Sequence, residues 1–438
     1  MTEPIPGPPG LPLLGNINDI DPADSMADLC RLVDTYGPIF KLNLGGSDRV
    51  FISTRELLNE VCDDKRFTKM VSGPLEEIRN GVHDGLFTAY PGEHNWEIAH
   101  RVLMPVGGKM GKIWPEGEDK CSRGLYEIDS GFNCDVRFSI LLDLANASSC
   151  AMGTRFNSFY HEGMHPFVDA MVGLLRESAA RARRPAVANY LHRSAQLKYD
   201  ADISLLKKVA AEVVAERRTV PSDKKDLLNA MINGRDPKTG EGLTEESTLN
   251  NMITSLIAGM SSAPLLELIQ PVPGYETTSG LLSFLFYYLL KNPAAYQTAQ
   301  RQVDEVVGRG PITVDHMLNF PYIETCLRET LRLRPTAPAF TLQPLPDSPD
   351  EYVSLGGKYQ IRKGQTIVAL LPAIHRDPAV FGSDAEAFRP ERMLDEPFSN
   401  VPPHYLAHPP IWPTSLNSNT SSLGGNNSIL RQLLYKIL

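Results

Sequence analysis

Apolar side chains recur at helical spacing along most of the chain, and strand-like runs occur near its beginning and towards its end. Leu327, Leu331 and Leu333 form one helical stripe, and Pro335 is expected to end the helix that carries it. Two longer stripes each mark one face of an amphipathic helix. They consist of Phe167, Val168, Met171, Val172, Leu174 and Leu175, and of Ile203, Leu206, Val209, Ala210, Val213 and Val214.

Strand-like runs predict a β-hairpin near the start of the chain. Ile39–Leu44 and Arg49–Ile52 are rich in apolar residues, and the four residues between them include two glycines. Ser53 followed by Glu56 has the spacing of a capping box, so a helix is expected to begin there.

A second hairpin is expected from Tyr359 to Leu371, with its turn at Lys363 and Gly364. Together with the helical stripes, these strands predict a fold that is mainly α-helical with small β-sheets, which is the α+β class.

Two apolar segments predict the halves of one long buried helix. Residues 250–259 read NNMITSLIAG, and residues 275–290 read YETTSGLLSFLFYYLL. Residues 260–274, which separate them, contain three prolines. Each proline costs about 3 kcal/mol inside a helix, so the helix can keep its geometry only if this stretch loops out.

Composition and charge exclude several classes of function. A chain of 438 residues, 42% of them hydrophobic, can bury a large core. The net charge of −9 argues against a nucleic-acid partner. The six cysteines are scattered without a CxxC pair, so a disulfide scaffold is not expected and a reducing, cytoplasmic location is.

The sequence also predicts a soluble protein without a transmembrane segment. The longest apolar run, Leu281 to Leu290, is broken only by Ser283 and is too short to span a bilayer. The opening residues MTEPIPGPPGLPLLGN have neither the basic nor the apolar region of a signal peptide.

Charged residues near the end of the chain suggest a buried network. Glu329 and Arg332 are three positions apart and would share one face of a helix. Arg392 follows in the proline-punctuated segment FRPER. If Glu329 is buried between the two guanidinium groups, the three residues form a fixed charge network. The alternative is an ordinary surface ion pair, which contributes little to stability.

The order of these motifs resembles the cytochrome P-450 family of heme-thiolate monooxygenases. When residues 259 and 275 are joined, Ala258-Gly259-Tyr275-Glu276-Thr277-Thr278 is similar to the family's oxygen-activation motif. A threonine inside a helix can bond to a carbonyl one turn earlier and bend the helix. The resemblance implies that Thr277 hydrogen-bonds iron-bound dioxygen and that Glu276 relays protons. The small residues Ala258 and Gly259 would leave room beside the heme.

The resemblance implies further site residues. Trp96 and His100 match the family's Trp-x-x-x-His element, in which both N–H groups face one heme propionate. Phe87, in DGLFT, falls where fatty-acid hydroxylases of the family place an aromatic residue in the substrate pocket. His375, in IHRDP, would either reach a propionate or decorate a turn.

The resemblance is greatest to the soluble, self-sufficient fatty-acid hydroxylases, whose heme domain is fused to a reductase. It implies an apolar substrate, dioxygen, and electrons that pass from NADPH through the FAD and FMN of a flavoprotein reductase, fused or separate. Residues 1–402 would form the heme domain, interrupted at about 106–146 and 260–274, and residues 403–438 would be a disordered tail.

The family's iron ligand is missing from the expected place. The family motif is Phe-x-x-Gly-x-Arg-x-Cys-x-Gly, in which the Cys thiolate binds iron, but no cysteine follows Cys326 here. His404 and His408 could bind iron in principle, without the family's loop around them. No metal ligand is therefore assigned. The competing hypothesis is a heme-free, catalytically inactive fragment that at most binds apolar ligands.

Overall fold

The structure is a computed structural model that describes residues 3–12, 15–21, 24–44, 46–107, 166–184, 192–220, 226–260, 277–308, 316, 319–335 and 337–394. The two predicted interruptions, 106–146 and 260–274, lie outside these ranges except for residues 106, 107 and 260, and the tail 403–438 lies outside them entirely.

Helices predominate among the described residues, and the strands are short, which confirms the predicted α+β class. The helices are α1 (Ser25–Tyr36), α2 (Arg55–Val61), α3 (Pro74–Val82), α4 (His94–Gly107), α5 (Pro166–Arg183), α6 (Arg193–Thr219), α7 (Leu227–Asn233), α8 (Glu245–Met260), α9 (Thr277–Lys291), α10 (Pro293–Val307), α11 (Pro321–Leu333), α12 (Leu371–Ile374) and α13 (Pro378–Phe381). The strands are β1 (Ile39–Leu44), β2 (Ser47–Ile52), β3 (Phe67–Lys69), β4 (Ala339–Pro344), β5 (Tyr352–Leu355), β6 (Tyr359–Arg362) and β7 (Thr366–Leu370).

The described residues divide into two compact units. The first contains the residues up to Gly73 and those from Thr325 onwards, and the second contains those between Pro74 and Glu324. All the strands belong to the first unit, and helices α3 to α10 belong to the second.

The first unit is built on a five-stranded sheet in the order β1-β2-β7-β4-β3. β2 and β7 are parallel, and the other neighbours are antiparallel. Successive side chains of a strand point to opposite faces, so Ile367 and Ala369 enter one apolar cluster whereas Val368 and Leu370 enter another. Because β7 is buried on both faces, its sequence TIVAL is continuously apolar.

The predicted first hairpin is present, with two changes at its end. Its second strand begins at Ser47, two residues before the predicted Arg49. The following helix has Thr54 rather than Ser53 as its N-cap. Ser53 is instead buried and donates its hydroxyl to the Pro38 carbonyl at 3.3 Å.

The predicted hairpin from Tyr359 to Leu371 is wrong. A turn does occur at Gly364, which has a φ of 77°. However, β6 pairs with β5 in a separate two-stranded sheet, whereas β7 pairs with β2 and β4. Burial on both faces places β7 in the middle of the larger sheet, and neighbouring position in sequence does not decide the pairing.

The second unit has a helical core to which α3 to α8 contribute. Its buried members include Val82, Leu103, Met171, Leu206 and Met252. The two predicted stripes lie on α5 and α6. The two segments predicted to form one long helix correspond to α8 and α9. Residues 261–276, which separate them, lie outside the described ranges. Within those ranges, no helix is both long and apolar enough to cross a membrane.

Candidate functional site

Glu329 and Arg332 form a buried, bidentate ion pair on α11. Their spacing of three places both side chains on one face of the helix, which ends at Leu333, before Pro335, as predicted. Arg332 Nε donates to Glu329 Oε2 at 2.8 Å, and Arg332 Nη2 donates to Oε1 at 2.9 Å. The two side chains are 1% and 0% exposed, so this is not the surface pair that the sequence left open.

Two groups from the FRPER segment complete the coordination of Glu329. Arg392 Nε donates to Glu329 Oε1 at 3.0 Å, and the backbone N–H of Arg389 donates to the same oxygen at 2.9 Å. Arg392 also contacts Asp384, and hydrogen bonds from Arg389 and Arg392 lower the pKa of that carboxyl group. The structure therefore brings together the three residues of the predicted network.

The remaining donors of Arg332 hold the backbone that follows β7. Its Nη1 donates to the carbonyls of His375 and Ala385 at 2.8 and 2.7 Å, and its Nη2 donates to the Ala387 carbonyl at 3.2 Å. The guanidinium group also lies over the Phe381 ring, 4.8 Å from its centroid. Arg332 thus satisfies backbone carbonyls that would otherwise be buried without donors.

His375 is completely buried at the end of α12 and does not decorate an exposed turn. Burial, and secondarily the charge of Arg332, lowers its pKa to about 3. The imidazole is therefore neutral near pH 7. Neither ring nitrogen has a hydrogen-bond partner among the described residues. That His375 reaches a propionate remains a prediction.

Trp96 and His100 lie one turn apart on α4, with ring centroids separated by 5.3 Å. This agrees with the predicted spacing, but the indole N–H of Trp96 donates to the Leu86 carbonyl at 3.1 Å. The indole donor therefore holds the backbone of the segment before α4, and the role of Trp96 and His100 at a heme propionate remains a prediction.

Phe87 is half-buried in the segment between α3 and α4. The preceding residue, Leu86, packs against the helical core of the second unit. Its backbone N–H donates to the Asn251 side-chain oxygen on α8 at 3.1 Å. Asn250 Nδ2 donates to the Asp84 carboxylate in the same segment at 2.7 Å, so two consecutive asparagines contact this segment, and the sequence analysis missed both. No feature of the sequence marked either asparagine as a partner of this segment.

A second missed pair anchors α4. Arg101 Nε and Nη2 donate to the two carboxylate oxygens of Asp236 at 2.7 and 2.8 Å. Asp236 also accepts from the Thr239 hydroxyl at 2.8 Å. These bonds, led by those from Arg101, hold the pKa of Asp236 well below its usual range. The pair ties the helix that carries Trp96 and His100 to the turn after α7.

The predicted oxygen-activation residues are only partly within the described ranges. Ala258 and Gly259 lie in the last turn of α8, and Thr277 begins α9. Glu276 lies outside the described residues. Their roles remain predictions.

The described cysteines do not fit the thiolate ligand that the resemblance implies. Burial raises the pKa of Cys62 to about 12 and raises the pKa values of Cys30 and Cys326 above their usual range. Cys30 lies on α1, Cys62 directly follows α2 and Cys326 lies on α11, and none of them stands in a segment like Phe-x-x-Gly-x-Arg-x-Cys-x-Gly. Within the described residues, no group of three or more His, Cys, Asp or Glu side chains could hold a metal ion. The remaining candidates lie outside those residues: Cys121, Cys134, Cys150, His404 and His408.

Comparison with known proteins gives one consistent family. The sequence model described as Cytochrome P-450 matches residues 5–265 and 266–407. The two matches meet within the predicted interruption at 260–274.

Three curated relatives illustrate the match. The chain is 50% identical over 412 residues to "Bifunctional cytochrome P-450/NADPH–P-450 reductase ascE" of Acremonium egyptiacum, covering 92% of this chain and 37% of the relative. It is 49% identical over 409 residues to a bifunctional cytochrome P-450/NADPH–P-450 reductase of Aspergillus oryzae, covering 92% of this chain and 36% of the relative. It is 44% identical over 407 residues to "Self-sufficient cytochrome P-450 monooxygenase CYP505AG1" of Oidiodendron maius, covering 91% of this chain and 36% of the relative. The chain thus spans little more than a third of the length of these relatives.

Proposed function

Because the chain belongs to the cytochrome P-450 family, we propose that it is the oxygenase part of a heme-dependent monooxygenase. Its substrate would be a fatty acid or a similar apolar molecule, hydroxylated with dioxygen and with electrons derived from NADPH. The observation that carries this proposal is the extended similarity to relatives named as monooxygenases and as reductase fusions.

The proposed electron donor is a flavoprotein reductase that carries FAD and FMN. The names of two of these relatives include an NADPH–P-450 reductase, and this chain matches 36% or 37% of the length of the three relatives given above. The reductase would therefore be joined to this polypeptide in a longer chain or would act as a separate partner.

The site residues proposed from the resemblance fall into three groups. Phe87 would contact the substrate. The residues proposed for the chemistry of dioxygen are Glu276 and Thr277. Those proposed to lie against heme are Trp96, His100, Ala258, Gly259 and His375. Since none of the described cysteines stands in the family's cysteine loop, no catalytic step through heme follows from this structure.

A second candidate function concerns the 438-residue polypeptide as it stands. Cys30, Cys62 and Cys326 lie outside any segment like the family's cysteine loop, and no cysteine follows Cys326 in the sequence. These observations favour a heme-free polypeptide that binds apolar ligands without oxidising them.

Translation of the genomic locus in all frames distinguishes the two candidates. Recovery of the Phe-x-x-Gly-x-Arg-x-Cys-x-Gly loop, followed by flavin-binding sequence, would support the monooxygenase. Absence of both from the locus would contradict it.

The reduced, carbon-monoxide-bound spectrum provides the matching biochemical test. Hydrogen bonds to propionates contribute about 1.5–3 kcal/mol each, too little to retain heme without an iron ligand. We therefore expect little heme in the purified 438-residue polypeptide and no hydroxylase activity. Stoichiometric heme with the red-shifted Soret band of a thiolate complex would refute the heme-free candidate.

A further inference from the structure

The peptide groups beside Phe87 are held from several elements of the second unit. The N–H of Leu86 donates to Asn251 on α8, and the carbonyl of Leu86 accepts from Trp96 on α4, both at 3.1 Å. On the other side of Phe87, the Thr88 carbonyl accepts from Arg79 on α3 at 2.9 Å. Both neighbours of Phe87 are therefore anchored to helices.

Asp84 adds a second link between the same helices. Its carboxylate accepts from Asn250 on α8 at 2.7 Å and from Asn95 on α4 at 2.9 Å. The backbone of this segment packs closely against α8 at Gly85, where an added Cβ atom would lie 2.1 Å from the Thr254 hydroxyl oxygen. A displacement of α8 or of its side chains would thus be transmitted to residues 84–88.

Asn251 is the member of this set whose orientation is fixed independently. Its side chain is completely buried, and its Nδ2 donates to the Ser247 carbonyl at 2.9 Å and to the Ser247 hydroxyl at 3.3 Å. With the amide nitrogen committed to Ser247, the amide oxygen must face Leu86. A buried amide with both ends satisfied holds one rotamer, which is what accurate positioning of a neighbouring group requires.

We propose that Asn251 is a positioning residue that sets where the Phe87 ring lies and thereby which apolar ligands the chain accepts. This inference rests on the proposed function, since it takes Phe87 as a residue that contacts the substrate. An apolar site distinguishes ligands by the space that its side chains leave, and one methylene of mismatch changes selectivity by roughly 10- to 200-fold.

Two readouts on the full 438-residue chain test the proposal. The first is amide hydrogen exchange of the peptide containing Leu86 and Phe87. The second is the ratio of the dissociation constants for dodecanoic and hexadecanoic acid, measured by calorimetry. Asn251→Ala should accelerate exchange in that peptide and change the ratio by roughly tenfold.

Matched variants separate positioning from a general loss of structure. Asn251→Asp keeps an acceptor but places a carboxylate oxygen against the Ser247 carbonyl, so the side chain loses its fixed orientation and both readouts should change in the same direction as in Asn251→Ala. Ser255→Ala removes a bond on the same helix, from its hydroxyl to the Asn251 carbonyl, and should change neither readout. If Asn251→Ala fails to fold, Ser247→Ala loosens the same amide and should act in the same direction.

A double-mutant cycle with Phe87→Ala decides whether Asn251 acts through the ring. We expect Asn251→Ala to have no further effect on the ratio once Phe87 is truncated. An unchanged effect in that background would overturn the inference, as would unaltered exchange and an unaltered ratio in Asn251→Ala alone. If Phe87→Ala itself leaves both affinities unchanged, or neither acid binds, the proposed substrate contact fails first and the inference fails with it.

Discussion

Arg392 donates through Nε to Glu329 Oε1 at 3.0 Å, although the two residues are 63 positions apart. The same oxygen accepts from Arg332 and from the Arg389 backbone. A completely buried carboxylate is tolerated only when its charge is balanced and its oxygens accept hydrogen bonds. Glu329 therefore joins α11 to the segment that follows α13. Removing its carboxylate leaves the guanidinium groups of Arg332 and Arg392 close together without a counter-charge.

Substitution of Glu329 should destabilise the chain severely. Removing one partner of a buried ion pair costs about 3–5 kcal/mol, because the other partner is left uncompensated. We expect Glu329→Ala to lower the free energy of unfolding by that amount, as measured by urea denaturation, and to reduce the yield of folded protein. Glu329→Gln keeps the shape but not the charge and should also destabilise.

The exposed pair Glu351–Arg362 provides the matched control. Its Nε–Oε1 distance of 2.9 Å is comparable, but its side chains are 57% and 68% exposed. Because water screens such pairs, Glu351→Ala should leave the urea midpoint almost unchanged. Equal midpoints for Glu329→Ala and Glu351→Ala would show that burial does not set the importance of Glu329.

Local sequence signals predicted the elements that local chemistry determines. The helix carrying Glu329 ends before Pro335 because proline cannot continue it, and the first hairpin follows from its glycine turn and flanking apolar residues. The partnership of Glu329 with Arg392 was predicted from the helical spacing of Glu329 and Arg332 and from the basic FRPER segment downstream, and these signals left open whether Glu329 is buried.

Contacts between residues far apart in the sequence carried no comparable signal. The bond from Leu86 to Asn251 joins residues 165 positions apart, and neither residue type marks such a contact in sequence. The pairing of β7 with β2 and β4 was not predicted for the same reason, since the order of strands in a sheet depends on which faces are buried and not on which strands are neighbours in the sequence.

His375 should weaken folding in acid. Its pKa is about 3 in the folded chain, against an ordinary value of 6.5, so between these values only the unfolded chain takes up the proton. Its contribution to the free energy of unfolding is unchanged above this window and falls by up to about 1.4 kcal/mol per pH unit below 6.5. In urea unfolding, the free energy of unfolding of the wild type should therefore fall relative to that of His375→Gln as the pH is lowered.

The comparison is made at about pH 7.5, 6 and 5, and the difference between the two chains is followed because it cancels the other titrating groups. His192→Gln, at an exposed position before α6, controls for removal of one imidazole. A constant difference between wild type and His375→Gln at all three pH values would contradict the prediction.

Gly85→Ala should destabilise the second unit by steric conflict with Thr254. The added Cβ would lie 2.1 Å from the Thr254 hydroxyl oxygen and 3.1 Å from the Val82 carbonyl oxygen. Overpacking of this kind costs about 1–3 kcal/mol, measurable as a lower urea midpoint. Thr254→Ala removes the closest atom and should recover part of the loss when combined with Gly85→Ala. Additive losses in the double variant would mean that the two residues do not compete for space.

Cys326 should react with a maleimide only when the first unit unfolds. The thiol lies on α11 and is 1% exposed. Burial, with smaller effects from Glu391 and Glu329, raises its pKa, so it is both inaccessible and protonated. We expect peptide mapping of the native chain to show Cys326 modified far more slowly than the partly exposed Cys62.

The rate at which Cys326 is modified through rare unfolding follows the unfolding equilibrium. Glu329→Ala should therefore accelerate this modification by roughly a hundredfold or more, the factor that corresponds to about 3 kcal/mol. Glu351→Ala should leave the rate unchanged, and rapid labelling of Cys326 in the wild type would show that α11 is accessible without unfolding.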